Sequence, residues 1–366
     1  MNIAHLNTER TFRGGERQVY FLIEGLLKKG IKSHLICNKN SKIKDKIRDN
    51  LPDIPIFEVE MKGEFYPPAV FLIRSYLKKN NIDILHCHTS HAHTIGYFAT
   101  LGLKTKLLVS RRVDFSIHRK GVKFLSLFKY NKMCDEIISI SKTIKSILIE
   151  DGVKKRIIPV YSGVIPMPIM KKDEYKYIFD EFGILENSIK IVNVAALEAH
   201  KGQEYLIKAY SEVVKRFPNS QLIIVGDGKL KEHLKELSRE FNIEKNVVFT
   251  GFRNDVPAFI NAADIFVMSS LDEGLCTSIL DALTLNKVVV ATNAGGIPEI
   301  IKDGITGFLV EKGNVKSLSE KLIKVIENLD EYKEKFSNGR DYIMENFSVE
   351  KMVNGNYEVY KEMLGK

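Results

Sequence analysis

Short apolar runs rich in isoleucine and valine alternate with amphipathic stretches almost from end to end of this chain, and few folds accommodate that rhythm. The first series is NIAHLN (2–7), SHLICN (33–38), IPIFEVE (54–60), DILHCH (83–88), KLLVSRRV (106–113), EIISIS (136–141) and RIIPVYSG (156–163). Segments of helical period lie between most of them; within 16–29, Val19, Leu22, Ile23, Leu26 and Leu27 share one face. The alternation predicts parallel strands covered by helices on both sides. The stretch GVIPMPIMKKDEY (163–175) has two prolines and no period, and it reads as a linker. The rhythm then restarts with KIVNVAA (190–196), SQLIIVGDG (220–228), NVVFTGF (246–252), DIFVMSS (264–270), KVVVATNAGG (287–296) and GFLVEKG (307–313). The fold class is therefore α/β: two Rossmann-like halves joined by a hinge, with three charged helices expected from about 314 to the end.

With 366 residues, 44% hydrophobic and 28% charged, the chain has the size and composition of a two-domain globular enzyme. No uncharged run approaches the roughly 18–20 residues that span a bilayer. The opening MNIAHLNTER lacks a signal-peptide core, so a cytoplasmic location is expected. The four cysteines, Cys37, Cys87, Cys134 and Cys276, form no CxxC pair and read as free thiols. Charge is uneven. Residues 1–170 hold 29 Lys+Arg against 15 Asp+Glu, whereas 171–366 hold 26 against 31. The densest basic stretch, 104–156, includes Lys104, Lys106, Arg111, Arg112, Arg119, Lys120, Lys123, Lys129 and Lys132. It could meet an anionic acceptor, a membrane surface or nucleic acid, or be an ordinary solvated surface.

Parallel sheets of this kind bind ligands outside the carboxyl ends of their strands, and several turns there are glycine-rich. If the two domains face each other, both sets of turns line one cleft. Gly14-Gly15 precedes a helix expected from about Glu16; paired glycines admit a close ligand, and a helix start offers N–H groups to anions. The spacing is not GxGxxG, which counts against a dinucleotide enzyme. In the second half, Gly226 and Gly228 close one strand, Phe252-Arg253 follow another, and Gly295-Gly296 end a third. Lys201-Gly202 stands just before a helix, where a lysine is either a point charge for a phosphate or an exposed helix-start residue. After DIFVMSS the chain turns through Leu271-Asp272-Glu273-Gly274, and a helix is expected from near Cys276-Thr277, with Leu275 between. Those amides would favour an anion, and Glu273 could accept sugar hydroxyls. Asp281, expected about two turns into the helix on the face of Thr277 and Ser278, could hold a ribose. The plain alternative is one acid favouring the helix dipole and one solvated acid.

The ordered set GGERQ, HKGQEYLIKAY, LIIVGDG, VVFTGF, DIFVMSSLDEGLCTSILDAL and VVVATNAGGIPEIIKDGITGFLV resembles the retaining GT-B glycosyltransferases of family 4 (group 1) over nearly the whole chain. The resemblance implies two facing Rossmann-like domains with a central cleft. Residues 1–165 would form an acceptor-binding domain, joined by a C-terminal helix, 347–366, that crosses back to it; 174–346 would bind the nucleotide sugar. It implies Glu273 on the donor sugar and Asp281, in place of the more usual Glu, on the ribose. Lys201 matches the diphosphate-binding lysine, but the arginine that usually accompanies it falls on Ala196, so Arg253, Arg111 or Arg112 are candidates to supply the charge. Glu273, Lys201 and His88 are thus the catalytic candidates. Donor binding is assigned to Gly14, Gly15, Gly226, Gly228, Phe252, Arg253, Gly274, Leu275, Cys276, Thr277 and Asp281.

The run HCHTSHAH brings His86, Cys87, His88, His91 and His93 together, and His86 and His88 share a strand face. A strand end followed by a polar helix start explains them without a metal. The resemblance implies no metal and no cofactor, and makes His88 a cleft-facing contact. Arg111, Arg112 and Asp114 stand where many relatives have a histidine and would suit a phosphorylated acceptor. The implied reaction moves a hexose from a nucleoside diphosphate sugar, UDP first, to an acceptor hydroxyl with retained configuration. The acceptor would be a lipopolysaccharide or other cell-envelope glycan or glycolipid, reached by peripheral contact with the inner leaflet; nucleic acid is not among the implied partners. Rival readings are a sugar-nucleotide epimerase or phosphorylase of this architecture, or a non-catalytic nucleotide-sugar-binding accessory protein.

Overall fold

The computed structural model describes residues 1–64, 66–118 and 123–366; Arg119 and Lys120 of the basic stretch lie outside them. Every apolar run named above becomes a strand, and the chain divides into two units, Met1–Gly163 with Phe347–Lys366, and Val164–Asn346.

In the first unit the strands are β1 (Asn2–Asn7), β2 (Lys32–Cys37), β3 (Ile56–Glu58), β4 (Ile84–Cys87), β5 (Lys106–Arg111), β6 (Glu136–Ser139) and β7 (Ile157–Pro159). They form one sheet in the order β3-β2-β1-β4-β5-β6-β7, all parallel. In the second unit β8 (Ile189–Val194), β9 (Ser220–Val225), β10 (Val247–Gly251), β11 (Ile265–Met268), β12 (Val288–Thr292) and β13 (Phe308–Val310) pair in parallel as β10-β9-β8-β11-β12-β13. Each order reverses once, between β1 and β4 and between β8 and β11. At such a switch point the loops leave in opposite directions and open a crevice beyond the strand ends.

Burial explains the apolar runs. Ile265, Phe266, Val267 and Met268, and Val288 through Ala291, are fully buried, as strands covered on both faces must be. The helix of the first βα turn, Gly14–Lys28, begins two residues before its expected start; Glu16 accepts the Arg13 amide at 3.0 Å, fixing the entry. The tail holds four helices rather than three: Val315–Glu327, Leu329–Lys335, Gly339–Phe347 and Val349–Met363. Asn328 and the Phe336–Asn338 turn break a stretch whose polarity alone did not mark the extra boundary. The last helix belongs to the first unit. Met352, Val353, Val359 and Tyr360 are buried in its core, and Gly25 lets Val353 approach so closely that a Cβ there would lie 2.4 Å from Val353 Cγ2. At the exit from the first unit Gln18 holds both backbone groups of Gly163, at 2.8 and 2.7 Å.

Candidate active site

In the second unit the loops leaving β8, β11 and β12 converge at the switch point. After β8 a single 3-10 turn, Ala199–Lys201, ends at Gly202, whose φ of +64° is the left-handed conformation that glycine adopts without strain. Its lack of a side chain is also required by the neighbouring loop: a Cβ would sit 2.1 Å from Ser269 O. The Leu271 amide donates to His200 O at 2.8 Å and Ser269 Oγ to Lys201 O at 3.0 Å. The amide of Gly296 donates to Glu273 O at 2.9 Å, and Thr292 Oγ1 to Ser270 O at 2.6 Å.

These backbone ties bring Lys201 and Glu273, 72 positions apart, into an ion pair between Nζ and Oε2. Ser270 Oγ donates to the same oxygen at 3.2 Å. The two side chains are only 17% and 12% exposed, so each charge depends on the other more than a surface pair would. Gly202→Ala is therefore expected to lower stability by about 2 kcal/mol or more and to disable the site. Urea unfolding checks the first effect, and a variant as stable as the parent would contradict the loop packing.

The helix that follows is Thr277–Leu283, seven residues long, so Asp281 lies one turn beyond Thr277 rather than two turns into the helix. Cys276 is the N-cap and gives no side-chain cap bond. The Ile279 and Leu280 amides donate to Cys276 O at 3.2 and 3.4 Å, whereas those of Thr277 and Ser278 stand too early to find an acceptor within the helix. Leu275, Cys276 and Asp281 are buried, at 4%, 3% and 5% exposure, and burial followed by the Glu273 carboxylate pushes the Cys276 thiol up to about 12. Gly274, Leu275 and Cys276 can thus offer backbone to a ligand, while Thr277, half-buried, can also offer its hydroxyl.

Other candidates have different surroundings. Gly226, with φ +147°, is fixed by the adjacent loop, since a Cβ would lie 1.9 Å from Ala195 O; at Gly228 the corresponding distance to Leu197 O is 2.4 Å. Their glycine identity is accounted for by chain-to-chain approach. Phe252 is 61% exposed. The Arg253 guanidinium is committed to Glu181 and Asp255, with contacts of 2.6 to 3.1 Å, and lies over the rings of Phe182 and Phe259. Its charge is already balanced, which removes the reason for choosing it to replace the arginine absent at Ala196.

In the first unit, the loops after β1 and β4 meet through a hydrogen bond of 2.6 Å between Thr8 Oγ1 and Thr89 Oγ1. The helix at Gly14 opens beside them, and a Cβ on Gly15 would meet nothing within 4 Å. His88 is buried. Its Nδ1 lies 3.4 Å from Arg112 Nη2, and its Nε2 lies 3.1 Å from His5 Nδ1. Because a guanidinium only donates, His88 Nδ1 accepts and its Nε2 carries the proton, which it donates to His5. His5 must then be protonated on Nε2, a buried atom with no hydrogen-bond partner among the described residues. His86, in register with His5 across β1 and β4, joins Tyr360 Oη and Ser110 Oγ, both at 2.7 Å.

His5 was not singled out from the sequence; a histidine in the β1 run beside a strand ending in H-x-H was the signal. The donor atoms of His5, His86 and His88 lie within 4.8 Å of one another, close enough for a metal. The cation of Arg112 against His88, and hydroxyls on both nitrogens of His86, oppose a dication there. The rings are neutral: His5 and His88 share a hydrogen bond, and His86 packs against both at ring-centroid distances of 5.8 and 4.1 Å. The other two histidines of HCHTSHAH go elsewhere: His93 Nε2 donates to Met133 O at 3.0 Å, and His91 is exposed. Arg111 is held by Tyr130 Oη at 3.0 Å and Phe115 O at 2.6 Å, whereas Arg112 is half-buried beside His88, its pKa lowered by burial to about 10.

Burial lowers the pKa of the four buried imidazoles, to about 3 for His5 and His93 and well below 6.5 for His86 and His88. Below about pH 6.5 the unfolded chain binds protons that the folded one refuses, so stability is full above that pH and falls as the pH drops toward 3. The slope is about 1.4 kcal/mol per pH unit for each such histidine. Urea unfolding at pH 7.5 and 5.5 should show a loss of several kcal/mol; equal stabilities would mean that these rings are charged in the native state.

Comparison with known proteins agrees with this architecture. The family described as Glycosyl transferases group 1 matches residues 175–341, and Glycosyltransferase Family 4 matches residues 12–166. An uncharacterised glycosyltransferase of Methanocaldococcus jannaschii is 32% identical over 85% of this chain and 83% of its own length. The Escherichia coli UDP-Gal:α-D-GlcNAc-diphosphoundecaprenol α-1,3-galactosyltransferase is 26% identical over 100% of this chain and 97% of its own. Among solved structures, Anabaena HepE in complex with UDP and glucose superposes with a TM-score of 0.87 at 19% identity, covering 99% of this chain and 100% of that one. A glycosyltransferase of Rickettsia africae gives 0.86 at 23% identity, covering 99% and 98%. The chain belongs to the group 1, family 4 glycosyltransferases. Its fold is GT-B.

Proposed function

We propose that the protein transfers a hexose from a UDP sugar to a hydroxyl of a cell-envelope glycan or glycolipid, with the anomeric configuration retained. The observation that carries the reading is the Lys201–Glu273 pair, held where the β8, β11 and β12 loops converge beside the start of the Thr277 helix. In this reading Lys201, with the amides of residues 274–277, faces the diphosphate. Glu273 accepts hydroxyls of the donor sugar, and Asp281 takes the ribose. Electrostatic stabilisation of the departing diphosphate supplies much of the catalysis. The acceptor attacks on the face that the diphosphate leaves, and the diphosphate oxygen takes the acceptor's proton. No residue of the chain is required as a nucleophile.

Support for UDP comes from the E. coli relative, whose name specifies UDP-Gal, and from HepE, solved with UDP and glucose. The E. coli name also specifies a lipid-linked diphosphate acceptor. A Bacillus anthracis relative, 23% identical, is named an N-acetyl-α-D-glucosaminyl L-malate synthase, and a small anionic acceptor is the second reading. In the first unit, His88, Arg112, Gly14 and Gly15 are the groups we assign to the acceptor and the donor's outer edge, with Arg112 the cation suited to an anionic acceptor. We further assign the protein to the cytoplasmic face of the membrane; among the described residues no helix is long and apolar enough to cross one.

Thermal-shift screening against UDP-, GDP- and ADP-sugars tests the donor. A shift confined to UDP-sugars is expected, and none with any nucleotide sugar would end the reading. Proton NMR of the product gives the anomeric outcome. Turnover of a UDP-sugar to its epimer without acceptor would point to an epimerase instead.

A further inference from the structure

The first unit exposes large apolar side chains that the donor and acceptor assignments leave unused. Helix Lys123–Lys132, KFLSLFKYNK, turns three large apolar residues outward: Phe124 is 73% exposed, Leu125 62% and Phe128 45%, while Leu127 is half-buried and Tyr130 buried. On a helix of 3.6 residues per turn, positions 124, 125, 128 and 132 fall within an arc of about 100°, so the exposed Lys132 shares the apolar face. Helix Pro67–Lys79 buries Ala69, Ile73 and Leu77 but also leaves Phe71, 71% exposed, and Leu72, 52%, outside.

Glu64, three residues before that second helix, links it to the first. Its carboxylate pairs with Lys129 and accepts from Thr94 Oγ1 at 2.7 Å, while Lys129 also donates to Ser90 O and Oγ, both at 3.0 Å. Helices on globular surfaces normally turn this stripe inward. Two linked helices that each leave large apolar side chains outside offer a surface suited to an apolar partner.

Charge selects the partner. Residues 1–170 carry 29 basic against 15 acidic side chains, so a second copy would bring like charge against like. Nucleic acid would use the lysines and could stack bases on the phenylalanines, but it leaves the exposed Leu72 and Leu125 without a partner. An anionic bilayer uses both: aromatic and aliphatic side chains enter the headgroup–acyl boundary while lysines meet the lipid headgroups. We propose that this face docks the chain on an anionic lipid bilayer, with Phe124, Leu125 and Phe128 inserted; its biological purpose rests on the glycolipid reading above, though the docking itself can be measured apart from it.

The test is co-sedimentation of the full chain with phosphatidylglycerol–phosphatidylcholine vesicles and with phosphatidylcholine alone. The parent should bind the first strongly and the second weakly. The triple variant Phe124→Ser, Leu125→Ser, Phe128→Ser should bind the anionic vesicles roughly 100-fold more weakly. Lys123→Glu with Lys132→Glu should reduce binding to near the phosphatidylcholine level. Because all the changed side chains are exposed, thermal unfolding should be unaltered, and this checks the fold of each variant. Equal binding by the triple variant, or indifference of the parent to the anionic lipid, overturns the proposal. A parent dimer that the triple variant converts to monomer also overturns it, in favour of a second copy. UDP-glucose thermal shift on the same preparations separates the two readings. A persisting shift without vesicle binding removes only the docking face, whereas vesicle binding without any shift removes only the donor assignment.

Discussion

Glu273→Ala is expected to lower the rate of sugar transfer by roughly 10³-fold or more while leaving the chain folded. Two effects add. The donor sugar loses an acceptor for its hydroxyls, and hydrogen bonds to a charged group are worth about 1.5–3 kcal/mol. Lys201 also loses the carboxylate that now balances it in a place where both side chains are largely covered. An unbalanced lysine should hold the donor's diphosphate more tightly in the ground state, so KM for the donor should stay level or fall while kcat collapses. Glu273→Gln keeps the size of the side chain and should show the same split. Steady-state kinetics with donor varied at saturating acceptor reads both constants. Parent-like kcat in the alanine variant would remove Glu273 from the chemistry.

Lys201→Ala should give the opposite signature. With the ammonium gone, Glu273 presents an uncompensated carboxylate to an incoming diphosphate, so donor affinity and turnover should both fall, with kcat/KM lower by about 10²–10³-fold. Product inhibition by the nucleoside diphosphate should weaken as well. The two residues touch, so their effects should not add, and the double variant Lys201→Ala, Glu273→Ala should bind donor better than Lys201→Ala alone. Additive losses in donor affinity would mean that the ion pair does not set the charge at this site. Ala196 sharpens the expectation: with no arginine at that position, and with Arg253 held by Glu181 and Asp255, Lys201 is the cation of the second unit that the three converging loops present.

Much of this arrangement could be read from residue order. The apolar runs mark all the strands because a parallel sheet covered on both faces needs apolar residues throughout, as in Val288–Thr292. The catalytic candidates Lys201 and Glu273 could be picked out as single residues, each in the loop that follows a strand. Their pairing was not, because it depends on Gly202 letting Ser269 O approach and on Leu271 bonding His200. The roles of Gly226 and Gly228 were equally hidden: a glycine beside a strand end looks the same whether a ligand or a neighbouring backbone approaches it. Among the histidines, pattern alone favoured neighbours in sequence, whereas sheet register joined His86 and His88 to His5. The tail was read as three helices because a run of polar residues with good helical propensity conceals a break at Asn328.

The central claim is that the pair at Lys201 and Glu273, with the turn through Gly274 to Thr277, receives the diphosphate and sugar of an activated donor. A crystal structure of the full chain with a UDP-sugar or UDP bound tests it most directly. The account predicts the β-phosphate within hydrogen-bond distance of Lys201 Nζ and of at least one amide among residues 274–277, with a ribose hydroxyl on Asp281. A nucleotide bound elsewhere on the chain, with Lys201 and Glu273 still paired and untouched, would contradict it.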